Sequence, residues 1–304
     1  MLGACGTSEK TQVFTGATMG TTYTVKVVDD NGISQQAIDN KLKQINQIFS
    51  TWDSKSELSL LNQQPINKWV KTSDELFTVL KVAKQIYQQT NGYFDPGIGR
   101  LVDVWGFGAN KQTQKPSPAK VRLALTNSSI RYLMFKDGAN KAVRKTKDIR
   151  IDLSAIAKGY GVDEVAKLLS IPNYLVEIGG EVRSSGSNNG KAWTLGIERP
   201  NNAKPIAITL ENKAIATSGN YRHYFIWQGR RYMHIINPRN GLPADSDIAS
   251  VSVIHPQTMM ADAYATAMMA MGSQKAIALA KQLDLSVVLI LNQQIPSKVI
   301  KINL

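Results

Sequence analysis

The stretch from residue 174 to residue 302 limits the fold more than any other part of the chain. Strand-like runs follow one another at 174–178, 193–198, 206–210, 223–227, 232–236 and 248–254. Helical spacing returns only at 258–271, where Gly272 ends it, and at about 275–283, before closing strands at 287–291 and 298–302. Runs of strands between helices, without strict alternation, predict an α+β fold of mixed or antiparallel sheets with flanking helices. They argue against a doubly wound parallel sheet.

Most of the predicted helices lie before residue 174. Thr22 to Val28 alternates as a strand. Residues 34–49 are predicted as an amphipathic helix, with Ile38, Leu42, Ile45 and Phe49 on one face. Thr72-Ser73-Asp74-Glu75 has the spacing of a capping box, and the helix after it stops at Asn91-Gly92. Residues 92–108 read as a loop rich in glycine and aromatics. Pro116 to Pro118 opens a helix ending near Asn127. A short strand at 149–153 then leads into a helix at about 157–169. With 304 residues and 43% hydrophobic content, the chain can bury a substantial core in one large domain or two interleaved lobes.

The formal net charge is +13, from 36 Lys+Arg against 23 Asp+Glu. Such an excess attracts nucleic acid, anionic headgroups or phosphate-rich ligands, or simply solvates the surface. Neither zinc-finger spacing nor an aromatic ribonucleoprotein motif is present, which argues against sequence-specific nucleic-acid binding. Cys5 is the only cysteine, so no disulfide forms within the chain. Leu2-Gly3-Ala4-Cys5 has the form of a bacterial lipobox, and Gly6 to Gln12 reads as a polar tether. Residues 1–12 are therefore read as lipobox remnant and polar tether, ahead of one folded domain over 13–304. No apolar run is long enough to span a bilayer, so the expected membrane link is lipid on Cys5.

Four segments carry candidate chemistry. Residues 259–271 are apolar nearly all round, which predicts a buried helix. Asp262 and Thr266 lie at i and i+4 within it, on one face. A carboxylate there needs a partner: it caps the helix, pairs with a Lys or Arg, or joins the hydroxyl in holding a hard cation such as Mg²⁺. The junction from Ile151 to Gly161 presents a helix start with Lys158 between glycines, which suits an anion or is an ordinary helix start. It matches neither a Walker A motif nor a dinucleotide fingerprint. The loop Tyr93-Phe94-Asp95 and onward suits a flat ring system or plain packing. His234, at a strand end, is a general base or a hydrogen-bonded core residue.

Taken in order, these blocks resemble the FAD:protein FMN transferase family, also called the thiamine-biosynthesis lipoprotein family. The matching blocks are Thr18-Met19-Gly20-Thr21, Phe49 to Trp52 with Ser56-Glu57-Leu58-Ser59 and Asn62, and Gly92 to Gly108. They continue with Asp152 to Gly161, Glu177 to Gly180, Ala216 to Gly219, His234 to Gly241, and Ala261 to Thr266. The resemblance implies an α+β fold related to the T-fold, with FAD held between lobes as substrate. It implies attack of a target threonine hydroxyl on the FMN-side phosphorus, leaving FMN on the target and releasing AMP. The target would be a membrane redox-pump subunit or a similar protein. By the family pattern, Asp262, Thr266 and the Ala155 carbonyl hold Mg²⁺, while Asp152, Lys158 and the Ile235 carbonyl region contact FAD. Met19, Trp52, Tyr93, Phe94 and Asp95 line its pockets. His234 is the first candidate base and Asp262 the second.

Two positions depart from the pattern: Ala265 stands where some relatives carry a second carboxylate, and Trp52 where some carry tyrosine. The family's common lipobox supports lipidation of Cys5, which places the enzyme on the periplasmic side of a bacterial inner membrane. An FAD pyrophosphatase, or a lipid-anchored FAD-storage protein, would use the same pocket. Retention of Asp262, Thr266 and Lys158 together argues against storage alone.

Overall fold

The computed structural model describes residues 11–29, 32–109, 112, 114–200, 203–220, 224–292 and 297–304. The lipobox and Cys5 lie outside these residues. In chain order, the first elements are β1 (Thr11–Thr18), β2 (Thr21–Val28), α1 (Gln35–Phe49), α2 (Glu57–Gln63), β3 (Val70–Lys71) and α3 (Asp74–Gln89). Next come α4 (Gly99–Trp105), α5 (Pro118–Thr126), β4 (Leu133–Lys136), β5 (Ala142–Lys145) and α6 (Ser154–Leu169). A run of strands follows: β6 (Tyr174–Ile178), β7 (Glu181–Ser185), β8 (Ser187–Asn188), β9 (Lys191–Ile197), β10 (Ile206–Leu210) and β11 (Ala214–Gly219). After β12 (Tyr224–Trp227), β13 (Arg230–Met233), β14 (Ile236–Asn237), β15 (Leu242–Pro243) and β16 (Ile248–His255), the chain ends with α7 (Thr258–Met271), α8 (Ser273–Gln282), β17 (Ser286–Leu291) and β18 (Val299–Ile302).

The predicted α+β class holds. The main sheet has the order β1-β2-β6-β7-β11-β16-β17-β18, and every neighbouring pair is antiparallel. It is covered on both faces. Val287 and Leu289 of β17 enter the cluster formed with the helices. Val288 and Ile290 enter a second cluster, with Trp193, Ile197, Ile208 and Leu210 of the small β10-β9-β8 sheet. Double burial is why an antiparallel strand reads as a continuous apolar run rather than an alternation.

Helix α1 buries Ile38, Leu42, Ile45 and Phe49, the face predicted from spacing, and Ser34 caps it by accepting from Ala37 N. The cap of α3 is arranged differently from the predicted box. Ser73, not Thr72, is the N-cap, and its Oγ accepts from Leu76 N at 3.1 Å. The carboxylate that completes it is Glu57 of α2, which accepts from Ser73 N and Ser73 Oγ, each at 2.6 Å, while Glu75 is exposed. Spacing along one helix cannot reveal a cap residue supplied by another.

The structure departs from the sequence pattern at four further places. The predicted loop 92–108 contains α4. The predicted strand 149–153 makes only one bridge, Arg150 with Ile98. Asn62 takes the place of a neighbouring strand there, donating to Ile151 O at 2.8 Å and accepting from Ile151 N at 2.7 Å. Helix α6 begins at Ser154 rather than near 157, and Asp152 Oδ1 accepts from Ser154 N at 2.8 Å at its entry. The run predicted at 232–236 breaks at His234, between β13 and β14.

The block Thr18-Met19-Gly20-Thr21 is a two-residue hairpin turn joining β1 and β2. Met19 (φ 49°) and Gly20 (φ 73°) both lie in the left-handed region, as the favoured right-twisting hairpin requires. Among the described residues, no helix is long and apolar enough to cross a membrane.

Candidate active site

Two helices and two strands build the site. Helix α7 is almost wholly buried, as its composition predicted, and crosses α6 closely. The crossing is set by Gly159: a Cβ there would lie 2.5 Å from Thr258 O and 2.7 Å from Met259 Cα. The N-terminus of α7 is capped from α6. Asp163 accepts from Thr258 N (3.0 Å), Thr258 Oγ1 (2.8 Å) and Met259 N (3.0 Å), and forms an ion pair with Arg183 at 2.6 Å. A charged cap at the positive end of a helix dipole stabilises both partners.

This crossing puts Asp262 against the first turns of α6. The Gly159 N–H, whose usual helical acceptor would be the Ala155 carbonyl, donates to Asp262 Oδ2 at 3.2 Å. Lys158 reaches Glu181 Oε1 at 3.0 Å and Asp262 Oδ2 at 3.7 Å. One turn further along α7, the Thr266 and Ser218 hydroxyls are 3.2 Å apart. Ser218 lies on β11, where the small residues Ala216-Thr217-Ser218-Gly219 read locally as a turn but form a strand. Its small side chains let α7 lie close to the sheet.

These groups open onto a cavity of about 540 Å³. Ala155, Lys158, Glu181, Ser218, Asp262 and Thr266 line it, and His234, Ile235, Thr21 and Gly179 to Val182 complete much of its wall. Its size falls within the usual range for small-molecule clefts. The ring of His234 is edge-on to Phe107, with centroids 6.5 Å apart.

Asp262 is 3% exposed, and burial pushes its pKa up. Burial also raises Glu181, to about 8, despite the opposing pull of Lys158. Burial would lower Lys158, but the Asp262 and Glu181 carboxylates outweigh it and hold the ammonium charged. Glu181 closes the small-residue turn Ile178-Gly179-Gly180-Glu181 and was legible there only as part of a backbone turn, not as a carboxylate of the site. A carboxylate entering a strand straight after two glycines was the available signal.

A raised carboxylate pKa makes the folded state bind its proton more tightly. The resulting stability is present below about pH 4.5 and is lost as pH climbs through about 8. In metal-free buffer, melting temperature is expected to fall more steeply between about pH 5 and pH 9 for the parent than for Glu181→Gln. Parallel pH profiles from calorimetry would contradict this assignment.

The donor set fits Mg²⁺. Asp262, Thr266, Ser218 and the Ala155 carbonyl offer only oxygen, and Glu181 Oε2 is buried without a hydrogen-bond partner. Among the described residues, no group of three or more His, Cys, Asp or Glu side chains gathers at one point. Mg²⁺ accepts one or two carboxylates because it retains several waters.

The other predicted residues lie elsewhere. Met19 packs its methyl toward Gly161, where a Cβ would be 3.2 Å away. Trp52 is 63% exposed, beside a second cavity of about 350 Å³ lined also by Asn62, Arg100, Asp103 and Arg150. Phe94 belongs to the main core. Asp95 is buried and accepts from Gly97 N (2.8 Å) and Ile130 N (2.7 Å), clasping its loop. The Tyr93 hydroxyl accepts from Lys275 at 2.7 Å, and its ring lies 5.3 Å from the Arg239 guanidinium. Asp152 anchors the entry to α6, its N–H donating to Pro96 O at 2.8 Å. Ala265 is buried in the core rather than in the cavity wall, so a relative's carboxylate at that position would start from a different face of α7.

A half-buried lysine between two carboxylates, on the wall of a cavity at a helix crossing, defines a site suited to an anionic small molecule. The chain belongs to the ApbE family, whose profile matches residues 19–289. A Haemophilus influenzae protein named FAD:protein FMN transferase is 37% identical, over 95% of this chain and 89% of its own length. A Vibrio cholerae protein of the same name is 36% identical, over 95% and 90%. Among solved structures, the flavin transferase ApbE from Vibrio cholerae superposes with a TM-score of 0.88 at 34% identity, covering 96% of this chain and 97% of that one. The apo flavinyl transferase ApbE of Pseudomonas stutzeri gives 0.88 at 31% identity, over 97% and 95%.

Proposed function

We propose that this chain transfers FMN from FAD to a threonine hydroxyl of an acceptor protein and releases AMP, with Mg²⁺ held by Asp262, Thr266 and the Ala155 carbonyl. In this reaction the threonine oxygen bonds to the FMN-side phosphorus, the bond from that phosphorus to the AMP oxygen breaks, and the hydroxyl proton passes to a base. The observation that carries the reading is the Lys158 ammonium, held charged between Glu181 and Asp262 at the cavity wall. An ammonium so placed can bind the pyrophosphate and offset the charge that builds as the bond to AMP breaks. When bound, Mg²⁺ would share that charge as a Lewis acid. His234 and Ile235 line the cavity; His234 would accept the threonine proton and Ile235 would contact the flavin. Trp52, Tyr93, Phe94, Asp95, Asp152 and Met19 would shape the rest of the FAD site, with the bulk of 13–304 acting as one catalytic unit. Lipid on Cys5 would hold that unit at the periplasmic face of the inner membrane.

The test incubates protein, FAD and Mg²⁺ with and without an acceptor carrying a threonine motif. FMN on the acceptor supports transfer. Free FMN with AMP indicates a pyrophosphatase, and tight FAD binding without turnover refutes both enzyme readings. In the same assay, His234→Ala should slow transfer by roughly 10²-fold or more while FAD affinity is kept. A loss of affinity with an unchanged saturated rate would make His234 a binding residue instead.

A further inference from the structure

The small antiparallel sheet β3-β5-β4 has one face in the core and one toward solvent. Val143 and Leu133 point inward and are fully buried, as is Lys145, which donates to Asn62 O at 2.6 Å. Strand alternation therefore puts Lys71, Met134, Lys136 and Arg144 on the outer face. Trp69, preceding β3, and Tyr132, whose carbonyl accepts from Thr146 N at 2.9 Å, extend this face at either side. None of these outward positions is acidic. The flanking acids are engaged: Asp74 with Lys141 at 2.9 Å and Asp137 with Lys81 at 2.8 Å.

Cations and rings interleave here. The Arg144 guanidinium lies 4.8 Å from the Trp69 ring. Arg131 and Lys147 lie 4.6 and 4.5 Å from the Tyr132 ring. Trp69 is 39% exposed and Met134 43%. Neither cavity is lined by β3, β4 or β5.

We propose that the outer face of β3-β5-β4 docks on an anionic lipid surface, with Lys71, Lys136 and Arg144 against the headgroups and Trp69 and Met134 at the headgroup–acyl boundary. Charge complementarity selects the partner: a basic face without free acids attracts anionic headgroups at short range. The rings make a lipid surface a better fit than a soluble polyanion. Tryptophan and tyrosine favour the membrane interface, and long basic side chains lay their apolar stems along it. An exposed sheet face outside both cavities suits laterally mobile headgroups better than one small ligand. This contact is independent of lipid on Cys5 and would set which way the catalytic unit faces.

The experiment pellets the full, unlipidated chain with phosphatidylcholine vesicles, with and without about one third phosphatidylglycerol. Binding is expected only with the anionic lipid and should weaken in high salt. The triple variant Lys71→Gln, Lys136→Gln, Arg144→Gln should lose about a hundredfold in vesicle affinity, while melting and flavin transfer to a soluble acceptor stay at parent values. Trp69→Ala should lose several-fold. Should the triple variant misfold, brominated lipid provides a second readout: it should quench parent fluorescence more than that of Trp69→Phe. Parent-like binding by the folded triple variant, or equal quenching, overturns the proposal. Binding to polyglutamate as tight as to vesicles, without dependence on Trp69, also overturns it in favour of an acidic protein partner.

Discussion

Asp262→Asn is expected to lower Mg²⁺-dependent flavin transfer by about 10²–10³-fold, or roughly 3–4 kcal/mol of transition-state stabilisation. The change is almost isosteric. An amide oxygen can still accept from Gly159 N, so the crossing of α6 and α7 should survive. What is lost is the only carboxyl group on α7 facing the cavity, and with it one of the two carboxyl partners of Lys158. FAD affinity without metal should change far less, because Lys158 retains Glu181 at 3.0 Å. The measurement is transfer rate against Mg²⁺ concentration, with FAD binding followed separately by fluorescence. A variant that reaches the parent rate at saturating Mg²⁺ has merely lost affinity. One that matches the parent at every concentration removes Asp262 from the metal site.

Gly159→Ala sets two effects against each other. In a helix interior, alanine is favoured over glycine by about 1 kcal/mol. Propensity alone would therefore make the variant more stable. The structure predicts the reverse, since the new methyl would sit 2.5 Å from Thr258 O, a backbone atom that cannot swing aside. Overpacking of this kind costs about 1–3 kcal/mol, and two long helices must separate to relieve it. Separation would also stretch the 3.2 Å bond from Gly159 N to Asp262 and loosen the Asp163 cap on α7. A lower melting temperature together with slower transfer is expected. A variant as stable as the parent, with parent activity, would mean that α6 and α7 do not cross as described.

The contrast between these two residues shows what the sequence could disclose. Asp262 and Thr266 announced themselves: a carboxylate in an otherwise apolar helix is costly unless partnered, and their spacing fixed the shared face. The buried face of α1 was legible for a similar reason, since spacing within one helix decides it. Glu57, Asn62 and Asp163 gave no such sign, because each serves an element far along the chain. Glu57 completes the cap of α3, Asn62 replaces a strand beside Ile151, and Asp163 caps α7 from 95 residues away. Strand β11 was hidden by its own fitness for the site. The small residues that admit α7 are the ones that locally signal a turn. Ala155 entered only through the family resemblance; the structure shows that the Gly159 N–H, whose usual helical acceptor is the Ala155 carbonyl, donates to Asp262.

The separation between Lys158 and Asp262 bears on how the molecule matures. No short fragment contains the site: α6, β7, β11 and α7 each supply part of it, and α7 is anchored to α6 through a cap that exists only after both have docked on the sheet. The unfolded chain therefore has no local nest for an anionic ligand or for the cation proposed beside it. The site follows from completed folding, so a half-made chain carries only unconnected pieces of it.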